Sequence, residues 1–175
     1  GEHGEDMPLS AEQYGQFLKS TFDLYYNYFM NGHYVSVRTF DNYIHLLLGQ
    51  QPENCAMRGQ CACNVVVEGD GSIYPCDFYV LDAWRLGNIH QDALPEMLTG
   101  ETAQRFVTSS LVPDAKCLAC KWRALCRGGC RRDRAITPDG ALKRNRFCAA
   151  YEAFFAYSYE RMCEMARKVA SQSPG

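Results

Sequence analysis

The chain has 175 residues, of which ten are cysteine; 47 % are hydrophobic and 13 % aromatic, and the net charge is −2. That composition can bury a core, which excludes a disordered chain, and a pI near 6.1 excludes a general polyanion binder. No apolar run approaches the roughly 20 residues of a membrane span, and the polar, acidic start from Gly1 to Ser10 is not a signal peptide.

Ser10-Ala11-Glu12-Gln13 has the form of a capping box. Tyr14, Phe17, Leu18, Phe22, Tyr25, Tyr28 and Phe29 then follow at helical spacing until Asn31-Gly32 stops the helix. Tyr34 to Phe40 reads as a short strand with Val35 and Val37 on one face. Asp41 reads as the cap of a second helix that runs through Leu48 to Gly49. Asn64 to Glu68, the turn Gly69-Asp70-Gly71, and Ser72 to Pro75 form a hairpin pattern. Residues 77–88 look irregular. Gln91–Leu98 and Glu101–Ser109 read as short helices parted by Gly100, and residues 113–146 form a knuckle region rich in Cys, Gly and Arg with little periodicity. Phe147 to Val169 is a long helix whose apolar face is Phe147, Tyr151, Phe154, Phe155, Met162, Met165 and Val169. There is no internal repeat.

Charge is segregated. Between Lys116 and Arg146, ten Lys and Arg face two Asp, so that segment is +8 and the remainder −10. The same segment holds Cys117-x2-Cys120-x5-Cys126-x3-Cys130, followed by Cys148 and Cys163; upstream stand Cys55, Cys61, Cys63 and Cys76. With no secretion signal, a reducing, cytoplasmic compartment is expected, where disulfides are rare. Four cysteines around Gly128-Gly129 suit thiolates wrapped about a metal centre, because small residues let backbone N–H groups reach sulfur. Structural zinc is the competing reading, although only one Cys-x2-Cys pair is present. The basic residues would serve an anionic cysteine-bound cofactor as well as they would serve a solvated face.

Cys61-x9-Gly71-x4-Cys76, the run 117–130 and Cys148 together resemble the seven-cysteine SPASM motif found in C-terminal extensions of radical S-adenosylmethionine (SAM) enzymes. Cys55, the stretch from Tyr74 to Ile89, Lys121-Trp122 and Cys126-Arg127-Gly128-Gly129-Cys130-Arg131-Arg132 are similar to one subfamily, the anaerobic sulfatase-maturating enzymes. The resemblance implies two auxiliary 4Fe–4S clusters: one on Cys55, Cys61, Cys76 and Cys130, the other on Cys117, Cys120, Cys126 and Cys148. Full cysteine ligation implies electron transfer or structure. It also implies that Asp77 is the base that takes the proton of a substrate thiol or hydroxyl while a 5′-deoxyadenosyl radical removes a Cβ hydrogen. Cys63 and Cys163 are left as packing residues; Asp82, Arg85 and Asn88 are expected to steady the loop around them.

The Cys-x3-Cys-x2-Cys loop of a radical SAM enzyme does not occur in this sequence. The chain starts at Gly1 rather than Met, and the expectation is therefore a C-terminal fragment, inactive alone. The expected fold is α+β: a short hairpin and helices around a loop-rich two-cluster core. Residues 1–9 form a polar tail, 10–50 the last helix and strand of a partial radical SAM barrel, 51–165 the SPASM domain and 166–175 a tail. Its expected work is within an oxidoreductase that converts a sulfatase active-site Cys or Ser to Cα-formylglycine. The partners are then the sulfatase polypeptide and an N-terminal radical SAM domain that carries SAM and a third cluster; neither a membrane nor nucleic acid is expected. Two alternatives remain at this stage: a zinc-stabilised module binding peptide or nucleic acid, and a SPASM domain that serves ribosomal-peptide modification.

Overall fold

The computed structural model describes residues 9–111, 114–137 and 142–172. Helix α1, Ala11–Met30, begins on a complete capping box: the Gln13 N–H donates to Ser10 Oγ at 3.1 Å, and the Ser10 N–H donates to the Gln13 side chain at 2.9 Å. It lies along the long C-terminal helix α7, Cys148–Gln172. Asp23 fastens the pair by accepting from Arg161 at 2.8 Å and from the Tyr157 hydroxyl, while the Tyr26 hydroxyl donates to Glu164 at 2.6 Å. Helix α2, Arg38–Leu47, closes the third side.

The apolar faces of these helices meet in an aromatic core. Phe22, Phe40, Phe154 and Phe155 are buried, with ring centroids 5.3 Å apart for Phe22–Phe40, 5.7 Å for Phe22–Phe154 and 5.6 Å for Phe154–Phe155. Such pairs add about 1 kcal/mol each beyond area burial. Met57 and Leu125, from the cysteine-bearing part, are buried in the same core, which therefore runs without a break across residue 50. Helix α7 continues to Gln172 with Ala166 buried, so the helix extends into the stretch read as a tail.

The segment 34–40 is not a strand: helix α2 already starts at Arg38, and Val35 is exposed. Nor does Asp41 cap it. The cap position is Val37, and Asp41 sits in the first turn, where its carboxylate accepts from the Tyr25 hydroxyl at 2.7 Å and from Ser36 Oγ at 2.5 Å. A carboxylate in the first turn is favoured by the helix dipole without being a cap.

The hairpin is present but shorter than its pattern: β1, Val66–Val67, pairs antiparallel with β2, Ser72–Tyr74, with Val67 opposite Ile73. Asp70 accepts from the Ser72 N–H at 2.9 Å and fixes the turn. An unforeseen third strand, β3, Gly87–Asn88, pairs on the other edge of β2 and buries it. Helix α3 runs Leu94–Thr99 rather than from Gln91, because Pro95 is tolerated only in a first turn; helix α4 is Glu101–Thr108. The knuckle region holds more order than its sequence suggests: helices α5, Ala115–Leu118, and α6, Arg123–Cys126, and a two-stranded sheet of β4, Arg134–Ile136, with β5, Leu142–Asn145. No helix among the described residues is long and apolar enough to cross a membrane.

Candidate metal centre

Cys117 lies in α5, Cys120 just beyond it, Cys126 at the end of α6 and Cys148 at the start of α7. These four thiols line one cavity of about 560 Å³, together with Trp122, Arg134 and Arg144. Cys55, Cys61 and Cys130 line a second, much smaller cavity of about 30 Å³ with Ser110, Arg131 and Arg134. Cys76 stands outside that lining, at the head of the turn Asp77–Tyr79, close enough to Cys130 for their charges to interact. All ten cysteines are free and half-buried. Among the described residues, no three His, Cys, Asp or Glu side chains are gathered closely enough to hold one metal ion; the thiols surround space instead.

The loop between Cys126 and Cys130 separates the two sets. Arg127, Gly128 and Gly129 all take positive φ, at 49°, 90° and 68°. Three successive left-handed residues reverse the chain within one turn, so that Cys126 opens on the large cavity and Cys130 on the small one. Two glycines make this affordable to the backbone. A methyl at Gly129 would stand 2.6 Å from Nδ2 of Asn145, so the close approach needs glycine as much as the φ does.

Burial dominates the thiols' acidity, yet each set has donors aimed at sulfur. Burial pushes the Cys126 thiol up to about 11, against the pull of the Gly128 N–H that donates to it. Cys76 is pushed up to about 12 by burial, opposed by the Phe78 N–H. Cys130 is raised by burial and lowered by the Arg132 N–H; Cys61 is raised by burial and lowered by the Ser110 hydroxyl, Arg131 and Arg134. Cys117 and Cys148 are also raised by burial, with Arg144 acting in the opposite sense on both. Backbone N–H groups two residues after a cysteine, and guanidinium groups beside it, stabilise a thiolate and do little for a neutral thiol. Two buried donors beside the Cys126–Cys130 loop, Arg131 Nε and Asn145 Nδ2, have no partner in the protein. The donor set therefore fits an anionic, thiolate-bound group.

The remaining sequence candidates fall elsewhere. Asp77 is exposed and accepts from the Cys76 thiol at 3.3 Å. Asn88 is buried and holds the hairpin turn: its amide donates to the Asp70 carbonyl at 2.9 Å, and its Oδ1 accepts from the His90 N–H. Asp82 opens the turn Asp82–Trp84, and its carbonyl accepts from the Arg85 N–H. Cys63 and Cys163 line neither cavity. Sequence reasoning missed Ser110 and Asn145, and had Arg131 and Arg134 only as members of the basic segment that serves a cysteine-bound cofactor or a solvated face. The density of arginine was a signal; which of them turn inward was not readable from it.

Residues 55–121 match the family model for SPASM, an iron–sulfur cluster-binding domain. The cysteine-bearing part of the chain is thus similar to SPASM domains, and the chain as a whole is similar to part of the anaerobic sulfatase-maturating enzymes. It is 44 % identical over 161 residues to a cysteine-type anaerobic sulfatase-maturating enzyme of Clostridium perfringens, covering 92 % of this chain and 44 % of the relative. A serine-type anaerobic sulfatase-maturating enzyme of Bacteroides thetaiotaomicron is 30 % identical over 169 residues, 95 % of this chain and 40 % of that one. Among solved structures, native anSMEcpe with bound AdoMet and Cp18Cys peptide superposes with a TM-score of 0.89 at 41 % identity, over 97 % of this chain and 46 % of that chain. The chain thus spans less than half the length of the relatives it matches.

Proposed function

We propose that this chain is the auxiliary-cluster part of an oxidoreductase that converts an active-site cysteine or serine of a sulfatase to Cα-formylglycine. The observation that carries the reading is the arrangement of the cysteines: four around one cavity, three around a second with Cys76 beside it, and a left-handed loop dividing Cys126 from Cys130. In this reading Cys55, Cys61, Cys76 and Cys130 hold one 4Fe–4S cluster, and Cys117, Cys120, Cys126 and Cys148 hold the other. Bound clusters supply one-electron transfer. SAM, a third cluster and the barrel that bears them belong to the N-terminal radical SAM domain, with residues 10–50 as its last elements and 51–165 as the SPASM domain. The partner is a sulfatase polypeptide, and the setting the cytoplasm, a reading supported by ten free thiols. The higher identity to the cysteine-type relative favours a cysteine-bearing substrate.

The chain's own residues have two tasks here. The cysteines, their N–H donors and the inward arginines hold charge and bring the hairpin, knuckle and α7 together, so binding is coupled to folding. In this reading Asp77, exposed at the edge of the Cys76 turn, takes the thiol or hydroxyl proton of the incoming peptide. Two of the ten cations of the basic segment, Arg131 and Arg134, are buried rather than displayed to a polyanion, and the match to an iron–sulfur cluster-binding domain fits the cluster reading better than the binding-module alternative.

Anaerobic reconstitution with iron and sulfide tests the reading. About eight irons and eight sulfides per chain are expected for two clusters; one or two zinc ions without sulfide would overturn it. Joined to the radical SAM portion of a relative, the chain is expected to form formylglycine in a sulfatase peptide. Asp77→Asn is expected to abolish that product while leaving the iron content unchanged.

A further inference from the structure

Arg131 is a buried cation whose polar contacts are all neutral. It is 6 % exposed, its Nη1 donates to the Phe106 carbonyl at 3.1 Å and to Ser109 Oγ at 2.8 Å, and its Nε has no partner. Rings surround it, with the guanidinium carbon 5.1 Å from the Tyr79 centroid, 4.7 Å from Trp84 and 5.2 Å from Phe106. Among the described residues no carboxylate forms an ion pair with it. Aromatic faces recover part of the cost of desolvating a guanidinium, but a buried charge without a counter-charge stays expensive. The groups that can supply negative charge are the thiols of the small cavity, which Arg131 lines beside Cys61 and Cys130. Arg134 is also buried, and it lines both cavities. Its Nε donates to the Lys143 carbonyl at 2.9 Å, which fixes it between the two cysteine sets.

We infer that Arg131 and Arg134 are positioning residues that set the reduction potentials of the two cysteine-bound groups, Arg131 acting on the Cys55/Cys61/Cys76/Cys130 site alone and Arg134 on both. This rests on the two-cluster reading. Reduction adds an electron to a group that is already anionic. A fixed buried cation stabilises the reduced form more than the oxidised one, and its removal lowers the potential. Burial keeps solvent and salt from screening the effect.

The test is a redox titration of the reconstituted full chain, followed by electron paramagnetic resonance with iron and sulfide assayed in parallel. The two potentials are assigned in a Cys117→Ala/Cys126→Ala background. Arg131→Met is expected to make one reduction about tenfold less favourable, about 59 mV more negative for one electron, and to leave the other in place. Arg134→Met is expected to lower both. Arg105→Gln is the control: Arg105 lies 5.1 Å from the same Trp84 ring but is exposed, and its loss is expected to move neither potential. Iron-loaded Arg131→Met with both potentials unmoved, or with both shifted equally, overturns the inference. If Arg131→Met fails to retain iron, Arg131→Lys decides: retention with a near-normal potential supports the charge role, and loss there as well overturns it. A chain that takes up zinc and no sulfide fails earlier, at the two-cluster reading itself.

Discussion

Substituting alanine at Gly129 puts a number on the loop that divides the cysteines. An L-residue in the left-handed region costs about 1–2 kcal/mol, and Gly129 sits at φ +68°. The added methyl would also lie 2.6 Å from Asn145 Nδ2 and 3.5 Å from its Cγ, so the Asn145 side chain must leave. Its Oδ1 then gives up the Phe147 N–H, now accepted at 2.9 Å in a buried position just ahead of α7. One such bond is worth about 1 kcal/mol, which brings the expected cost to about 2–3 kcal/mol. Gly32 is the internal comparison: its φ is +81°, yet a methyl there meets nothing within 4 Å. Gly32→Ala should carry only the conformational cost of about 1–2 kcal/mol. Anaerobic urea unfolding of the reconstituted chain, followed by circular dichroism, measures both. Gly129→Ala should be the more destabilised, and it alone should release iron faster to a chelator. Equal losses of stability, or normal iron retention in Gly129→Ala, would refute the claim that this loop's packing holds the cysteines in their two sets.

Iron counting in cysteine variants tests the partition directly. Cys126→Ala and Cys130→Ala should each lose about four of about eight irons and the double variant nearly all, whereas Cys117→Ala/Cys126→Ala should lose no more than either single. Phe154→Ala, which empties a fully buried site, should cost about 3–5 kcal/mol by urea unfolding. Phe17→Ala, at a 60 % exposed position, should change stability by under about 0.5 kcal/mol. In the metal-free chain, alkylation of Cys76 and Cys126 should be slow at pH 7 and rise about tenfold per pH unit to pH 10, because the thiolate reacts and these thiols are held up near 12 and 11. A plateau below pH 9, read by peptide mass spectrometry, would contradict the burial of those sulfurs.

The long elements are legible because their signals are local. Ser10 and Gln13 announce α1, and the aromatic spacing of α7 survives into the structure with a one-residue shift at its start. Asp41 misleads because a carboxylate near a helix start has two uses. The hydroxyls that claim it, those of Tyr25 and Ser36, are placed by tertiary packing. Strand β3 is two residues, Gly87 and Asn88, too short for any alternation to show. Sheet β4–β5 is spelled largely by Arg, Lys and Asn, and its inward residues Arg134, Leu142 and Asn145 share no common polarity. At the site, spacing alone marks the run from Cys117 to Cys130 as a metal loop but assigns all four cysteines to one centre as readily as to two. What divides them is the run of positive φ at Arg127, Gly128 and Gly129, which opens on a residue type that ordinarily avoids it.

The charge pattern takes on a different meaning once depth is added to it. A segment of +8 suggests a surface for polyanions, but charge on a surface and charge in an interior obey different rules. Exposed cations such as Arg105 and Arg132 are hydrated and screened, and their number says little about any one neighbour. Arg131 and Arg134 are out of water, where a guanidinium is stable only against something negative or strongly polar. The structure gives Arg131 carbonyl and hydroxyl oxygens and ring faces, leaves its Nε unpartnered, and places it beside cysteine sulfur. The same burial that raises the thiols of Cys61 and Cys130, by disfavouring their thiolates, makes the neighbouring cation unfavourable, and thiolates held in a bound, anionic group, their protons released to solvent, would offset the cost of the cation. The arginines and cysteines of this segment are therefore one physical unit, in which a buried guanidinium and a buried thiolate are each costly without the other.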